Sequence, residues 1–266
     1  METLLNMLKH IKWAKLGIVA LLLAAIAATL FLGGCKENDP EIPAGLDDNT
    51  VKVVFTAKAN NKSFAMDTKY NVDAEGFNYK FELLKFYLSK MYLVKTDGSK
   101  VLVKDIEMID FRKDKPNLSV GAKVEAGEYK EITFGIGVDS VSNVTDPSTY
   151  PNNHPLSLIN GTYWDMGSQY RFLLIEGRLD TMQNDTFSVP FVVHTGTNEL
   201  YRTKTLAHYV KFTKGDNKVI TIEIDADKFL TGIDFEHKHV SHTIGGGFEI
   251  AKNIADNFVN SLSIKE

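Results

Sequence analysis

Cysteine is almost absent from this chain: Cys35 is the one thiol among 266 residues. A disulfide within the chain needs two thiols, so stability must come from burial of apolar side chains. Three other patterns are also lacking. No basic cluster interleaved with aromatic residues is present, no glycine-rich phosphate loop, and no Gly-x-Ser-x-Gly elbow. Since no paired carboxylates stand out either, we expect neither a nucleic-acid partner nor an enzymatic activity.

Long apolar runs are likewise scarce, and the one that exists lies near the start of the chain. Residues 17–32 form a run of sixteen apolar and small residues, preceded by Lys9, Lys12 and Lys15. A membrane-spanning helix needs about 20 such residues, whereas an export signal has a basic start and a shorter apolar core. The run ends in Leu-Gly-Gly-Cys, the pattern of a bacterial lipobox. The alternatives are a transmembrane anchor or an ordinary secretory signal with a stray cysteine.

The lipobox predicts that residues 1–34 are a signal peptide and that Cys35 is lipidated, as by palmitate, and begins the mature chain. Cys35 is then unavailable as a metal ligand or nucleophile. We expect an outer-membrane lipoprotein of the cell envelope, facing the periplasm or the cell surface and held by acyl chains. Residues 35–50 are polar and acidic with two prolines, which predicts a flexible tether.

Residues 51–266 show mostly the alternation of β-strands. Apolar, β-branched and aromatic runs are separated by turn signals such as Asp97-Gly98 and residues 214–217. A single longer helical pattern closes the chain at residues 246–262. The sequence therefore predicts one mostly β domain, an antiparallel β-sandwich or barrel-like fold with a short C-terminal helix.

Histidine is the residue type best suited to a site here, because imidazole binds soft and borderline metals and six histidines follow Cys35. His194 ends a predicted strand, where a ligand could reach it at the rim of a sheet. His237, His239 and His242 lie within six residues and form a plausible chelate, although such clusters also occur in solvated loops. His208 alternates inside a strand, and His154 lies in a loop of turn-forming residues.

An ordered series of short motifs resembles the MbnP family over residues 51–258. The series begins with residues 86–89, Asp97-Gly98 and residues 127–129, and continues through 134–140, 154–156 and 161–164. It ends with residues 170–172, 175–177, 191–196 and 255–258. MbnP-like proteins are exported β-rich proteins, some encoded beside methanobactin genes and related to copper-repressible surface proteins.

The resemblance implies copper(I) bound by histidines and by a tryptophan oxidised to kynurenine. In characterised relatives a partner resembling dihaem cytochrome c peroxidases carries out that oxidation. Carried onto this chain, the resemblance makes Trp164, His194 and His242 the metal-site residues, with His154 as a further candidate. The sequence departs from the family where a second tryptophan and a Gly-Tyr pair are common, since Met166 and Gln169-Tyr170 stand there. The alternative is a β-sandwich that binds a partner protein or glycan without metal.

Overall fold

The structure is a computed structural model that describes residues 49–71, 77–114, 116–234, 237 and 239–266. The predicted signal peptide, the lipidation site Cys35 and the tether up to residue 48 lie outside the described residues. Within them, no helix is both long enough and apolar enough to cross a membrane.

Fourteen strands are described, and they account for most of the regular structure. In chain order they are β1 (Asn49–Ala59), β2 (Lys62–Ser63), β3 (Tyr70–Asn71), β4 (Asn78–Lys95), β5 (Lys100–Asp110), β6 (Ser119–Val124), β7 (Gly127–Ile136), β8 (Tyr163–Trp164), β9 (Gln169–Asp180), β10 (Val189–Gly196), β11 (Arg202–Phe212), β12 (Asn217–Asp225), β13 (Val240–Ser241) and β14 (Leu262–Ile264).

Three α-helices are described: α1 (Ser140–Asn143), α2 (Ala226–Phe229) and α3 (Phe248–Ser261). Single 3-10 turns lie at Pro147–Thr149, Leu158–Asn160, Asn198–Leu200 and Gly245–Gly247. The predicted C-terminal helix is therefore confirmed. Its buried face includes Ile254 and Phe258, which join the main core.

The strands form two sheets that pack as an open sandwich rather than as a closed barrel. The smaller sheet has the order β14-β12-β1-β2, with β6 also paired to β1. The larger sheet has the order β11-β7-β4-β9-β10-β13, with β3 and β5 paired to β4 and β8 paired to β9. Most pairs are antiparallel, as predicted, but β1 with β12 and β10 with β13 run parallel.

Alternation along the long strands separates the core from a second, outer face of the larger sheet. Leu84, Phe86 and Leu88 point into the main core, where the Phe86 ring lies 5.6 Å from Phe55 of the smaller sheet and 5.0 Å from Phe258 of α3. Tyr87 belongs to a separate apolar cluster on the opposite face. Because side chains alternate across a sheet, Lys85 shares that outer face.

One row of residues crosses the outer face from β5 to β10. Asp110 of β5 pairs with Lys85 of β4, Lys85 with Leu174 of β9, and Leu174 with His194 of β10. Residues directly opposite in antiparallel strands point to the same side. The row therefore runs from a charged edge at β5 to a histidine at β10, and residues 154–163 contribute contacts above it.

Candidate metal centre

His194 is buried near the end of β10. Phe191 and Val193 of the same strand point into the main core, so His194 lies on the outer face with only 4% of its surface exposed. A histidine in such a place must satisfy both ring nitrogens by hydrogen bonds or by a ligand. The predicted position near a sheet rim is confirmed, because β10 ends two residues later at Gly196.

His242 reaches His194 because β13 lies parallel to the end of β10. Val193 is in register with Ser241, so the residue that follows Ser241 lies beside His194. Two hydrogen bonds hold this alignment: the Val192 amide donates to the His239 carbonyl at 2.7 Å, and the Thr243 hydroxyl donates to the His194 carbonyl at 2.6 Å. Thr243 adopts a left-handed backbone conformation, with φ of 76°.

The two imidazoles face one another through their Nδ1 atoms. The Nδ1 of His194 lies 3.3 Å from the Nδ1 of His242, and the ring planes are inclined at 50°. His242 is exposed to solvent whereas His194 is buried. The pair therefore has one fixed, enclosed member and one that solvent can reach.

Trp164 lies against the exposed side of this pair. Its strand β8 forms a tight hairpin with β9 in which Trp164 pairs with Gln169. The turn brings Gly167 beneath the indole, where an added Cβ would lie 2.5 Å from the ring. The half-buried indole meets His242 edge to face at 6.0 Å between ring centroids. Tyr163, Trp164, Arg171 and His242 line a surface cavity of about 230 Å³.

The hydrogen bonds of His194 define which of its nitrogens is available. Nε2 lies 2.8 Å from a carboxylate oxygen of Glu176, so Nε2 carries the proton and donates it. Nδ1 then presents its lone pair to His242, and Nη1 of Arg171 donates towards it at a longer 3.5 Å. A carboxylate behind the distal nitrogen is the usual arrangement for a metal-binding histidine, because it fixes the ring and raises its basicity.

Burial and charge act in opposite directions on His194. Burial lowers the pKa of His194, and Arg171 and His242 add to this effect, while the hydrogen bond to Glu176 raises it; the net shift is downward. The hydrogen bond to His194 also lowers the pKa of Glu176. We therefore take the pair as a neutral imidazole and an ionised carboxylate at neutral pH. Only a neutral imidazole has a lone pair for a metal ion.

Glu176 and Arg171 are site residues that the sequence patterns do not identify. Both lie inside motifs that carry the family resemblance, but the resemblance implies no role for either. The signal was an acidic residue within the apolar strand of residues 172–177, where burial of a carboxylate requires a partner.

The other predicted histidines lie apart from the pair. His154 stacks on Tyr150 at 4.2 Å, and its Nδ1 accepts a hydrogen bond from the Leu156 amide. His154 also lines a different cavity. His237 contacts Asp234 through its own Nδ1. Of the predicted cluster of His237, His239 and His242, only His242 contacts His194 among the described residues. His208 lies on β11, at the other end of the sheet.

The two nitrogens fit one ion, but they do not complete a site. Ligands about 2.0 Å from a tetrahedral ion lie about 3.3 Å apart, which is the separation of the two Nδ1 atoms. In the part of the chain that the structure describes, no group of three His, Cys, Asp or Glu residues could hold a metal. The indole nitrogen of Trp164 is a hydrogen-bond donor and offers no lone pair. The site suits a soft ion that accepts few ligands.

Comparisons with known proteins identify the family to which the chain belongs. A family model described as MbnP matches residues 48–244. The solved structure of "MbnP from Methylosinus trichosporium" is similar with a TM-score of 0.52 and 17% sequence identity, over 74% of this chain and 81% of that one. No match is found among the curated proteins. At this identity the structural likeness supports the fold alone, while the family model spans most of the chain. The protein is a member of the MbnP family.

Proposed function

We propose that this protein binds copper(I) in the cell envelope, with His194 and His242 as ligands through their Nδ1 atoms. The observation that carries the proposal is the 3.3 Å between these atoms, with the Glu176 carboxylate behind His194. Copper(I) is soft and readily accepts imidazole nitrogen at low coordination number. A monovalent ion also suits a site where Glu176 and Arg171 already balance one another's charge. The proposed role is copper acquisition or storage, not catalysis.

Trp164 would supply the third ligand after oxidation to kynurenine, as the family resemblance implies. Two equivalents of hydrogen peroxide would cleave the indole C2–C3 bond to give N-formylkynurenine and two waters. Hydrolysis would then release formate and leave an aromatic amine with a free lone pair. The half-buried indole beside His242 is accessible enough for a dihaem peroxidase-like partner to draw electrons from it.

Competition with a chromogenic copper(I) chelator tests the histidine pair. His194→Ala and His242→Ala should each weaken copper(I) binding by at least about tenfold, the low end of losses typical for disturbed metal sites. The double variant should lose little more than either single one, because the two residues share one ion. His208→Ala is the matched control, since His208 is on a distant strand. Unchanged affinity in the double variant would remove both residues from the site.

Peptide mass mapping of protein from the native organism, grown with little copper, tests the oxidation. Conversion of Trp164 to kynurenine adds one oxygen and removes one carbon, and it abolishes the indole fluorescence. Unmodified Trp164 in that sample would leave a two-histidine site and no role for the peroxidase partner.

A second candidate function, docking of a partner protein without metal, is favoured by exposed apolar side chains near Trp164. Leu158, Ile159 and Met166 are all exposed, Met166 by 83%. Leu158 and Ile159 lie in the 3-10 turn before β8, and Met166 lies in the turn after it. Groups of exposed apolar side chains are typical of interaction surfaces. A triple Leu158→Ser, Ile159→Ser, Met166→Ser variant that binds copper(I) normally but loses a partner in the cell envelope would support this function. A glycan partner would not depend on these apolar side chains.

A further inference from the structure

A second cavity lies at the other end of the outer-face row, at the β5 edge of the larger sheet. Its volume is about 520 Å³, within the range of small-molecule sites. The side chains of Lys85 in β4 and of Arg112, two residues beyond the end of β5, line it on one side, and the loop of residues 152–160 lines it on the other. None of the residues proposed for the copper site lines this cavity.

Lys85 is the unusual residue in this cavity. The side chain of a lysine is seldom buried without a partner of opposite charge, yet only 7% of Lys85 is exposed. Its ammonium makes one long hydrogen bond, 3.5 Å to the carbonyl of Asn160. Within the described parts of the chain, no carboxylate lies within ion-pair distance of its Nζ.

The carboxylates nearest to Lys85 in the cavity wall already have partners. Asp110 receives hydrogen bonds from Nε and Nη2 of Arg112 at 2.9 and 2.6 Å. Glu107 pairs with Lys104 at 2.9 Å. Burial and the charge of Arg112 lower the pKa of Lys85 more than Asp110 and Glu176 raise it. The cavity wall thus has one cation that lacks an anion.

Other side chains of the cavity wall can also donate hydrogen bonds to a ligand. Nη1 of Arg112 has no partner among the described residues. Because the Leu156 amide donates to Nδ1 of His154, the neutral ring of His154 carries its proton on Nε2 and can donate it. The exposed amides of Asn152 and Asn153 lie at the rim, where they can pair with hydroxyl groups. A ligand matching this wall is an acceptor with a single negative charge and hydroxyl groups.

We propose that this cavity binds a small hydroxylated organic carboxylate of the uronic-acid type, with its carboxylate on the Lys85 ammonium. Nη1 of Arg112 and Nε2 of His154 donate to the same ligand. One carboxylate supplies the single negative charge that the wall lacks. The cavity is large enough for one sugar ring.

Calorimetric titration of the metal-free protein with glucuronate tests the proposal. Glucuronamide, the uncharged amide analogue of glucuronate, is the control ligand. Glucuronate should bind at least about tenfold more tightly than glucuronamide, because a charged hydrogen bond to a buried ammonium is lost in the amide. Lys85→Met should weaken glucuronate binding by at least about tenfold and raise the melting temperature, since an unpaired buried cation is replaced by an apolar side chain of similar length. Lys211→Met, at an exposed ion pair on β11, is the control and should bind as the wild type does.

His154→Phe provides a second variant, because phenylalanine keeps the stacking on Tyr150 but lacks the donor. It should weaken glucuronate binding several-fold, and His194→Ala should leave it unchanged, which separates this site from the copper site. Equal binding of glucuronate and glucuronamide by the wild type would overturn the proposal. So would unchanged affinity in Lys85→Met, or inorganic phosphate displacing glucuronate with tighter binding.

Discussion

The hydroxyl of Thr243 donates a hydrogen bond to the backbone carbonyl of His194, 49 positions earlier in the chain. Both groups are buried, and the bond is 2.6 Å long. The residue before Thr243 is His242, so this bond, together with the bond from the Val192 amide to the His239 carbonyl, holds the two imidazoles side by side. The geometry of the proposed copper site is thus set by backbone contacts around the ligands as well as by the ligands themselves.

Thr243→Val keeps the shape and β-branching of the side chain and removes the hydroxyl. We expect the free energy of unfolding to fall by about 1–3 kcal/mol, because the buried carbonyl of His194 loses its partner. Copper(I) affinity should fall as well, since His242 is no longer held beside His194. Urea denaturation and chelator competition measure the two effects. Thr205→Val removes an exposed hydroxyl hydrogen bond on β11 and should change neither quantity much.

Glu176→Gln tests the role of the carboxylate behind His194. The amide can still accept a hydrogen bond from Nε2, but it no longer raises the basicity of the ring. We expect copper(I) affinity to fall by about 10- to 100-fold, as for other partners of metal-binding histidines. The pKa of His194 should fall further, because the carboxylate that opposes the effect of burial is gone. NMR titration of the histidines follows the pKa, and Glu128→Gln, at an exposed ion pair, should leave both values unchanged.

The lowered pKa of His194 predicts how the metal-free protein responds to acid. In the unfolded chain the ring takes up a proton near pH 6.5, whereas in the folded protein it does so only at lower pH. The unfolded state therefore binds more protons between these two values, and stability falls as pH drops through that window. Above pH 6.5 this contribution is constant. Between pH 7.5 and pH 5.5, the free energy of unfolding measured with denaturant should fall less in His194→Asn than in the wild type. An equal fall in the two proteins would contradict a lowered pKa of His194.

Much of the fold could be predicted from the sequence, because alternation and turn signals act locally. The Asp97-Gly98 hairpin between β4 and β5 and the C-terminal helix were both predicted and are confirmed. The parallel pairing of β10 with β13 could not be predicted. It joins residues 48 positions apart in the chain, and β13 has only two residues, too few for a detectable alternation.

The same limit applies to the site. His194 and His242 could be proposed from residue type and family resemblance, but their contact depends on the register of β13 against β10. The pairing of Glu176 with His194 depends in turn on the register of β9 against β10. Pairings between segments far apart in the chain are fixed by packing, which no local pattern records.

Cys35→Ala tests the proposed anchor. Without the thiol, lipid cannot be attached, so the variant should accumulate as uncleaved precursor or be released from the membrane. Two or three acyl chains hold a protein firmly, whereas one binds only marginally, so the loss should be nearly complete. Fractionation of cells followed by mass measurement of the protein shows which outcome occurs. Normal processing and continued membrane association of the variant would contradict lipidation at Cys35.

Gly167 controls where the indole of Trp164 lies. A methyl group at this position would lie 2.5 Å from the ring, so Gly167→Ala must displace the indole or distort the β8–β9 turn. We expect a loss of about 1–3 kcal/mol in the free energy of unfolding, the usual cost of overpacking. We also expect a red-shifted emission from Trp164, because the displaced indole is more exposed to water. Trp164 is the one tryptophan after residue 34, so the spectrum of the processed protein reports on it alone.

The matched control for this variant is Gly246→Ala, where an added Cβ would meet nothing within 4 Å. Its stability and emission should stay close to those of the wild type. If the copper site uses an oxidised Trp164, Gly167→Ala should also slow conversion to kynurenine by the partner enzyme, since the ring no longer lies edge-on against His242. An emission spectrum and a stability identical to the wild type in Gly167→Ala would show that the indole does not pack over Gly167.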